Sequence, residues 1–221
     1  MADFPEVSIV VSNFNNGAFI DRCIRSLLSQ DTSFTYEVIV VDDASDDSSL
    51  QVLKHFGSML RVLVNNENLG LPASLNRAIH SSFGRFIVRV DSDDFVSRHF
   101  VQILALALSN NESLDAVACD YFEETWTENS RHQKIMKCDE KPIACGLMFR
   151  REHLFELGMY DPEFRFNEDK ELRRRFDEKY SVTRIPIPLY RYRQHPASMS
   201  RDAELRERYD KKLDGDGRGL D

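Results

Sequence analysis

The most constraining feature of this chain is an alternation of β-branched runs, each ended by an Asp or Asn cluster, with segments of helical period. Val7-Ser8-Ile9-Val10-Val11 leads into Asn13-Phe14-Asn15-Asn16-Gly17. Glu37-Val38-Ile39-Val40-Val41 leads into Asp42-Asp43-Ala44-Ser45-Asp46-Asp47, and Arg85 to Val90 leads into Asp91-Ser92-Asp93-Asp94. Runs apolar at nearly every position are strands buried on both faces. Between the first two, Phe19, Ile20, Cys23, Ile24, Leu27 and Leu28 repeat with the period of one helix face, ending near Gln30. The same reading predicts helices at Leu50 to Phe56, Ala73 to Phe83 and about Arg98 to Leu108, with strands at Leu60 to Val64 and Ala116 to Cys119. Together these predict an α/β fold with a mostly parallel central sheet and helices on both faces. Ligands bind outside the carboxyl ends of such strands, so the three polar clusters belong to one site.

The second half is less regular. Phe122 to Lys141 is polar and reads as a hairpin or exposed loop, Ile143 to Phe149 as a strand, and Glu152 to Leu157 as a short helix. Leu172, Phe176 and Tyr180 mark a helix starting near Glu168. Pro186 and Pro188 make Val182 to Arg193 an edge strand or extended segment. At 221 residues the chain is long enough for one domain with a sizeable core, expected over residues 1–205, with a charged, disordered tail at 206–221.

Composition removes several classes. A formal net charge of −8 argues against broad affinity for nucleic acid. No apolar stretch is long enough to span a membrane, and Met-Ala-Asp-Phe-Pro-Glu does not begin a secretory signal. Four cysteines without CxxC spacing point to a reducing compartment, so a cytoplasmic location is expected. GxGxxG, Walker A, GxSxG and HExxH are all missing, which removes most of the case for Rossmann hydride transfer, P-loop hydrolysis and serine-hydrolase chemistry.

Asp91-Ser92-Asp93-Asp94 is the sharpest chemical signal. On an extended segment Asp91 and Asp93 would project to one side, and two hard carboxylates suit Mg²⁺ or Mn²⁺ shared with substrate phosphates. A solvated turn is the plain alternative. Asp42 and Asp43 could accept hydrogen bonds from a base or ribose; a receiver-domain acid pair would need partners at later strand ends that this chain lacks. Asp46 and Asp47 read as caps of the next helix, and an EF-hand fails for want of its glycine. Glu168 and Asp169 open a helix, where the dipole stabilises carboxylate; a proton acceptor and a simple cap are equally good readings. His195, with Ser198 beyond it, could reach a metal or phosphate, whereas the other five histidines have no metal spacing.

Taken together, these clusters resemble a family 2 glycosyltransferase of the GT-A fold. The resemblance rests on Ser8 to Asn15, Val40 to Asp47, Asn68-Leu69-Gly70 with Leu75-Asn76, Asp91 to Asp94, Gly158-Met159-Tyr160-Asp161 leading to Glu168-Asp169, and His195-Pro196-Ala197-Ser198. They follow the family's order from about residue 6 to 200. The chain departs from the family in having Ser12-Asn13-Phe14-Asn15 where many members have Pro-Thr-Tyr-Asn, and Leu75 where many have Arg.

The resemblance implies a nucleotide-binding half at about 6–97 and an acceptor and catalytic-base half at about 98–205. It implies an inverting, non-processive enzyme of surface polysaccharide, lipopolysaccharide or glycolipid assembly, transferring a hexosyl or N-acetylhexosaminyl group. The donor would be a nucleotide-diphospho-sugar, UDP-linked by preference and GDP- or dTDP-linked as alternatives. The acceptor would be a glycan or lipid-linked hydroxyl, met in the cytoplasm or peripherally at the inner face of the plasma membrane. Ser12, Asn13, Phe14, Asn15, Asp42, Asp43, Asn68, Gly70, Asn76, Asp91, Ser92, His195 and Ser198 would bind donor. Asp91, Asp93 and His195 would hold Mg²⁺ or Mn²⁺, and Asp169, with Glu168 beside it, would supply the base. A non-catalytic nucleotide-binding subunit of the same fold is the competing reading. A sugar nucleotidylyltransferase is a poor match, because its glycine-rich, basic amino-terminal loop is missing.

Overall fold

The structure, a computed structural model, describes residues 4–127 and 130–195, with residues 209, 212, 213 and 215 of the tail. Four strands, β1 (Val7–Asn13), β2 (Tyr36–Asp42), β3 (Arg61–Val64) and β4 (Phe86–Arg89), are parallel and lie in the order β3-β2-β1-β4. Helices α1 (Ile20–Leu28), α2 (Ser49–Lys54) and α3 (Leu71–Ser81) connect them. Beyond β4 come the short β5 (Phe95–Val96), α4 (Phe100–Asn110), β6 (Ala116–Thr127), β7 (Ser130–Met136) and β8 (Leu147–Arg150). Helices α5 (Arg151–Glu156) and α6 (Glu168–Asp177) and strand β9 (Val182–Gln194) complete the described elements.

The sheet continues from β4 through β8, β6 and β9 to β5, and this half is mixed: β8 runs antiparallel to β4 and β6, whereas β9 is parallel to β6. Two apolar clusters form, one on each face. One packs residues of α1, α2 and α4 on the sheet, and the other packs residues of α3, α5 and α6. Helices therefore cover both faces, as the alternation predicts. Among the described residues no helix is long and apolar enough to cross a membrane.

Three local expectations gain detail. The polar stretch after Phe122 is a hairpin, but β6 runs on to Thr127 as its first arm, in register with β7 from Tyr121↔Met136 to Thr127↔Ser130. The strand predicted from Ile143 forms only at Leu147–Arg150, because Gly146 adopts φ +75°, a left-handed conformation that interrupts an extended run. β9 lies between β6 and the two-residue β5, but β5 pairs only with Tyr190 and Arg191, so the part that carries Pro186 and Pro188 has β6 alone beside it and is an edge, as expected. Its prolines are tolerated because the β6–β9 register jumps from Cys119↔Ile185 to Asp120↔Pro188, so they fall where the ladder is already broken. The predicted disordered tail lies mostly outside the described residues; of those described, Tyr209 stands over Phe164 and Phe166.

Asp120 fixes that bulge. It accepts from Arg184 Nε at 2.8 Å and Nη2 at 2.6 Å, and from the Cys138 amide at 3.1 Å. The Arg184 hydrogen bonds hold the Asp120 carboxyl below its ordinary range. A depressed carboxyl stabilises the fold above its unfolded pKa of about 4, and that contribution is lost as pH falls through the folded value. Asp120→Asn should therefore cost about 1–3 kcal/mol at pH 7. The gap to the parent should close below about pH 4 in thermal melts run from pH 3 to 7.

Candidate active site

The loops after β1, β2 and β4 meet at the carboxyl end of the parallel strands and are tied to one another. Asn13, fully buried at the end of β1, donates through Nδ2 to Asp42 Oδ1 at 3.0 Å and to Ser45 Oγ at 3.2 Å. The Asn15 amide donates to Ser45 Oγ, and the Asp46 amide donates back to Asn15 Oδ1, each at 3.0 Å. Asn15 and Ala44 both adopt left-handed φ, +53° and +62°, at the two bends of this zipper. Asn16 Nδ2 reaches Ser92 Oγ at 2.8 Å, joining the first loop to the acidic turn. Gly17 allows the loop to lie against the start of α2, because a Cβ there would stand 2.4 Å from Ser48 Oγ.

The acids of β2 are structural in their visible contacts. Asp42 accepts from Asn13 and from the Ser45 amide, the latter at 3.1 Å. Asp43 accepts from Asn65 Nδ2 at 2.6 Å and from the amides of Leu69 and Gly70 at 2.9 and 2.8 Å. This fixes the loop that carries Asn68, which is exposed, beside the two β2 acids. Asn76 stands apart: its amide bridges the main chain of Tyr160 in both directions, at 2.7 and 3.0 Å, and so joins α3 to the loop after α5. Leu75 is fully buried core. Ser12 is half-buried, and Phe14 projects outward with 47% exposure. Asn13 Oδ1 is one of several polar atoms buried without a hydrogen-bond partner among the described residues; Arg193 Nε and Nη2 are two others close to the acidic turn. An acceptor in the position of Asn13 Oδ1 suits a ring N–H of a base.

Asp91 to Asp94 is a turn rather than an extended segment, closed by the Asp94 amide donating to the Asp91 carbonyl at 3.0 Å. The expected projection of Asp91 and Asp93 to one side therefore does not arise, and each acid has its own partner. Asp91 accepts from Arg89, at 2.7 Å from Nε and 3.3 Å from Nη2. Asp93 Oδ2 lies 2.9 Å from His195 Nε2, and the His195 ring stacks on Phe19 at 4.5 Å. Asp94, 1% exposed, accepts from the Tyr190 hydroxyl and the Arg193 amide, each at 2.7 Å, which binds β9 to the turn. Burial pushes the Asp94 carboxyl well above its usual range, with Asp93 and Asp91 adding to the rise. Asp93 is raised in the same way, by burial and then by Asp91.

Glu168 and Asp169 open α6, as the heptad-like spacing of Leu172 and Phe176 predicts, and Asn167 ahead of them takes φ +59°. Glu168 is 5% exposed and accepts from Arg89 Nη1 at 2.7 Å. Burial raises its carboxyl, and Arg89 opposes the rise. Asp169, next along the helix, is half-buried. The sequence assigns no individual role to Arg89, Asn16 or Tyr190. The available signal was an arginine inside the buried run Phe86-Ile87-Val88-Arg89-Val90, which requires an anionic partner. Ser198 lies outside the described residues.

Two donor sets invite comparison for a divalent cation. Asp91, Asp94 and Cys145 offer atoms within 4.8 Å of one another, but Asp91 and Asp94 already carry the bonds described above. The Cys145 thiol, moreover, is pushed far up by burial and then by Asp91. A buried protonated thiol is a poor ligand for a hard ion. Asp93 and His195 fit better: a carboxylate and an imidazole converge there, with side-chain exposures of 23% and 12%.

Residues 8–182 match the family profile described as glycosyl transferase family 2. The uncharacterized glycosyltransferase EpsJ of Bacillus subtilis (strain 168) is 29% identical over 95% of this chain and 69% of its own length. The putative glycosyltransferase EpsH of the same organism is 28% identical over 98% and 67%. Among solved structures, Staphylococcus aureus TarS 1-349 in complex with UDP-GlcNAc superposes with a TM-score of 0.71 at 20% identity, over 90% of this chain and 61% of that one. The mannosyltransferase PcManGT of Pyrobaculum calidifontis, in complex with GDP-Man and Mn²⁺, gives 0.72 at 17% identity, over 99% and 67%. The last two likenesses establish the GT-A fold. The chain spans about two thirds of these relatives, and somewhat less of TarS 1-349.

Proposed function

This chain belongs to glycosyl transferase family 2, and we propose that it moves one sugar at a time, with inversion, from a nucleotide-diphospho-sugar to a hydroxyl acceptor. The acceptor is a glycan or lipid-linked sugar of surface polysaccharide, lipopolysaccharide or glycolipid assembly, and the group moved is a hexose or N-acetylhexosamine. One observation carries the reading: the Asn13–Asn16 loop, the Asp91–Asp94 turn and the Glu168-Asp169 helix start are bound into one cluster by Asn16–Ser92 and Arg89. The UDP-GlcNAc and GDP-Man in the two GT-A neighbours support a nucleotide-sugar donor, for which we favour a UDP-sugar.

Asp93 and His195 would hold Mg²⁺ or Mn²⁺, which when bound neutralises charge on the departing diphosphate. The Asn13–Asn15 loop, with the open Asn13 Oδ1, receives the base. Asp169 takes the proton from the acceptor hydroxyl as it attacks the face opposite the leaving group. Glu168 stays in its ion pair with Arg89 and does not compete for that proton.

Thermal melts with UDP-, GDP- and dTDP-sugars in Mn²⁺ test the reading, since a ligand that binds only the native state raises Tm with the logarithm of its concentration above Kd. The expected result is a concentration-dependent rise with one nucleotide class, reduced by EDTA and by Asp93→Ala. A flat panel overturns the donor site. A rise with no release of nucleoside diphosphate, under any acceptor, turns the protein into a binding subunit.

A further inference from the structure

We propose that Arg89 is a positioning residue that sets the proposed base, Asp169, against the acidic turn. This inference rests on the transferase reading above, but its geometry does not. Arg89 ends β4 and is 5% exposed, and Glu168 lies 79 positions away at the start of α6. The guanidinium turns its Nε and Nη2 edge to Asp91 and its Nη1 to Glu168. A planar fork can serve two carboxylates in fixed directions at once, whereas an ammonium on a flexible stem cannot.

The consequence lies in the helix. Glu168 and Asp169 are the first two residues of α6, so fixing the Glu168 carboxylate fixes both the rotation and the advance of that turn. Asp169 then projects about 100° around the axis from an anchored neighbour. The entry to the turn is held from the other side by the left-handed Asn167. Arg89 therefore couples the donor-side turn to the acceptor-side helix through direct side-chain bonds to Asp91 and Glu168. The guanidinium offsets part of the charge of two carboxylates, and removing it would leave the buried Glu168 and the part-exposed Asp91 without their shared cation.

Arg89→Met, Arg89→Lys, Glu168→Gln and the Arg89→Met/Glu168→Gln pair test this on the full chain. The assays are release of UDP from UDP-GlcNAc in Mn²⁺, or from whichever nucleotide sugar shifts the melting temperature, and amide hydrogen exchange. A misplacement of the order of 1 Å can cost about 10²-fold. Arg89→Met should therefore lower kcat about 10²-fold, with a smaller change in donor KM, and speed exchange at residues 168–172. Arg89→Lys should recover only part of the rate. The double variant should lose about as much as Arg89→Met alone, because the two changes break one coupling. A folded Arg89→Met within about threefold of parent kcat overturns the proposal, as do additive losses or unchanged exchange at α6. Should Arg89→Met fail to fold, Arg89→Lys and Glu168→Gln form the cycle with the same criteria. If the parent protein releases no nucleotide from any donor, the transferase reading fails, and the exchange data alone decide whether Arg89 fixes α6.

Discussion

Asp169→Asn should lower turnover by about 10²–10⁴-fold, the span that a positioned general base supplies. Its fold and its affinity for donor should be close to those of the parent. The amide keeps the size of the carboxylate and its place in the first turn of α6, but cannot accept the proton of an attacking hydroxyl. Glu168→Gln is the informative contrast. Glu168 is almost fully buried and ion-paired with Arg89, so its loss leaves a buried guanidinium short of one anion. That variant should therefore lose melting temperature as well as rate. The two acids are adjacent in sequence, yet one is a tethered anchor and the other a half-buried group. Steady-state rates beside thermal melts separate them. If Asp169→Asn turns over as the parent does while Glu168→Gln is dead and stable, the base is Glu168 and the roles reverse.

How far the chain could be read from sequence follows from which interactions are local. The parallel half was legible because strands buried on both faces show as continuous apolar runs, and α1 shows as a stripe of period 3.6. The proline-bearing part of β9 was legible as an edge, but its bulge was not, because it depends on Asp120 and Arg184, which are 64 positions apart. The polar clusters were legible by position, since each follows a strand. Their internal assignment was not. Asp91 and Asp93 look equivalent in a DxD spacing, but the turn sends one to Arg89 and the other to His195. Tyr190 shows the same limit: its hydroxyl donates to Asp94 and accepts from the Asp91 amide across 99 positions. No local pattern could mark it apart from its tyrosine and arginine neighbours.

Asp43→Ala should be the most damaging single change to the fold near the site. Its carboxylate, 1% exposed, is the acceptor for three donors: Asn65 Nδ2, itself buried, and the amides of Leu69 and Gly70. A buried donor stripped of its acceptor costs about 1–3 kcal/mol; here Asn65 Nδ2 keeps Ser74 Oγ at 2.9 Å, the Leu69 and Gly70 amides are part-buried, and the three share one anion. The net loss is therefore about 2–4 kcal/mol, well short of the full sum. At about 2–4 °C per kcal/mol for a chain of this size, Tm should fall by roughly 10 °C. Asp43→Asn should lie between, because one carbonyl can still accept while the amide presents hydrogens toward an N–H that needs an acceptor. A residue whose role was only to touch donor would behave differently, leaving Tm unmoved without ligand and weakening only the ligand-dependent rise. Measuring both quantities on both variants therefore separates an anchor from a contact. The geometry also predicts how the two are linked. Asp43 holds Gly70 at φ +88°, where the chain turns from the exposed Asn68 into α3. Once that acceptor is gone, the Asn68 loop loses the carboxylate that fixes it, and donor affinity should fall together with stability in Asp43→Ala.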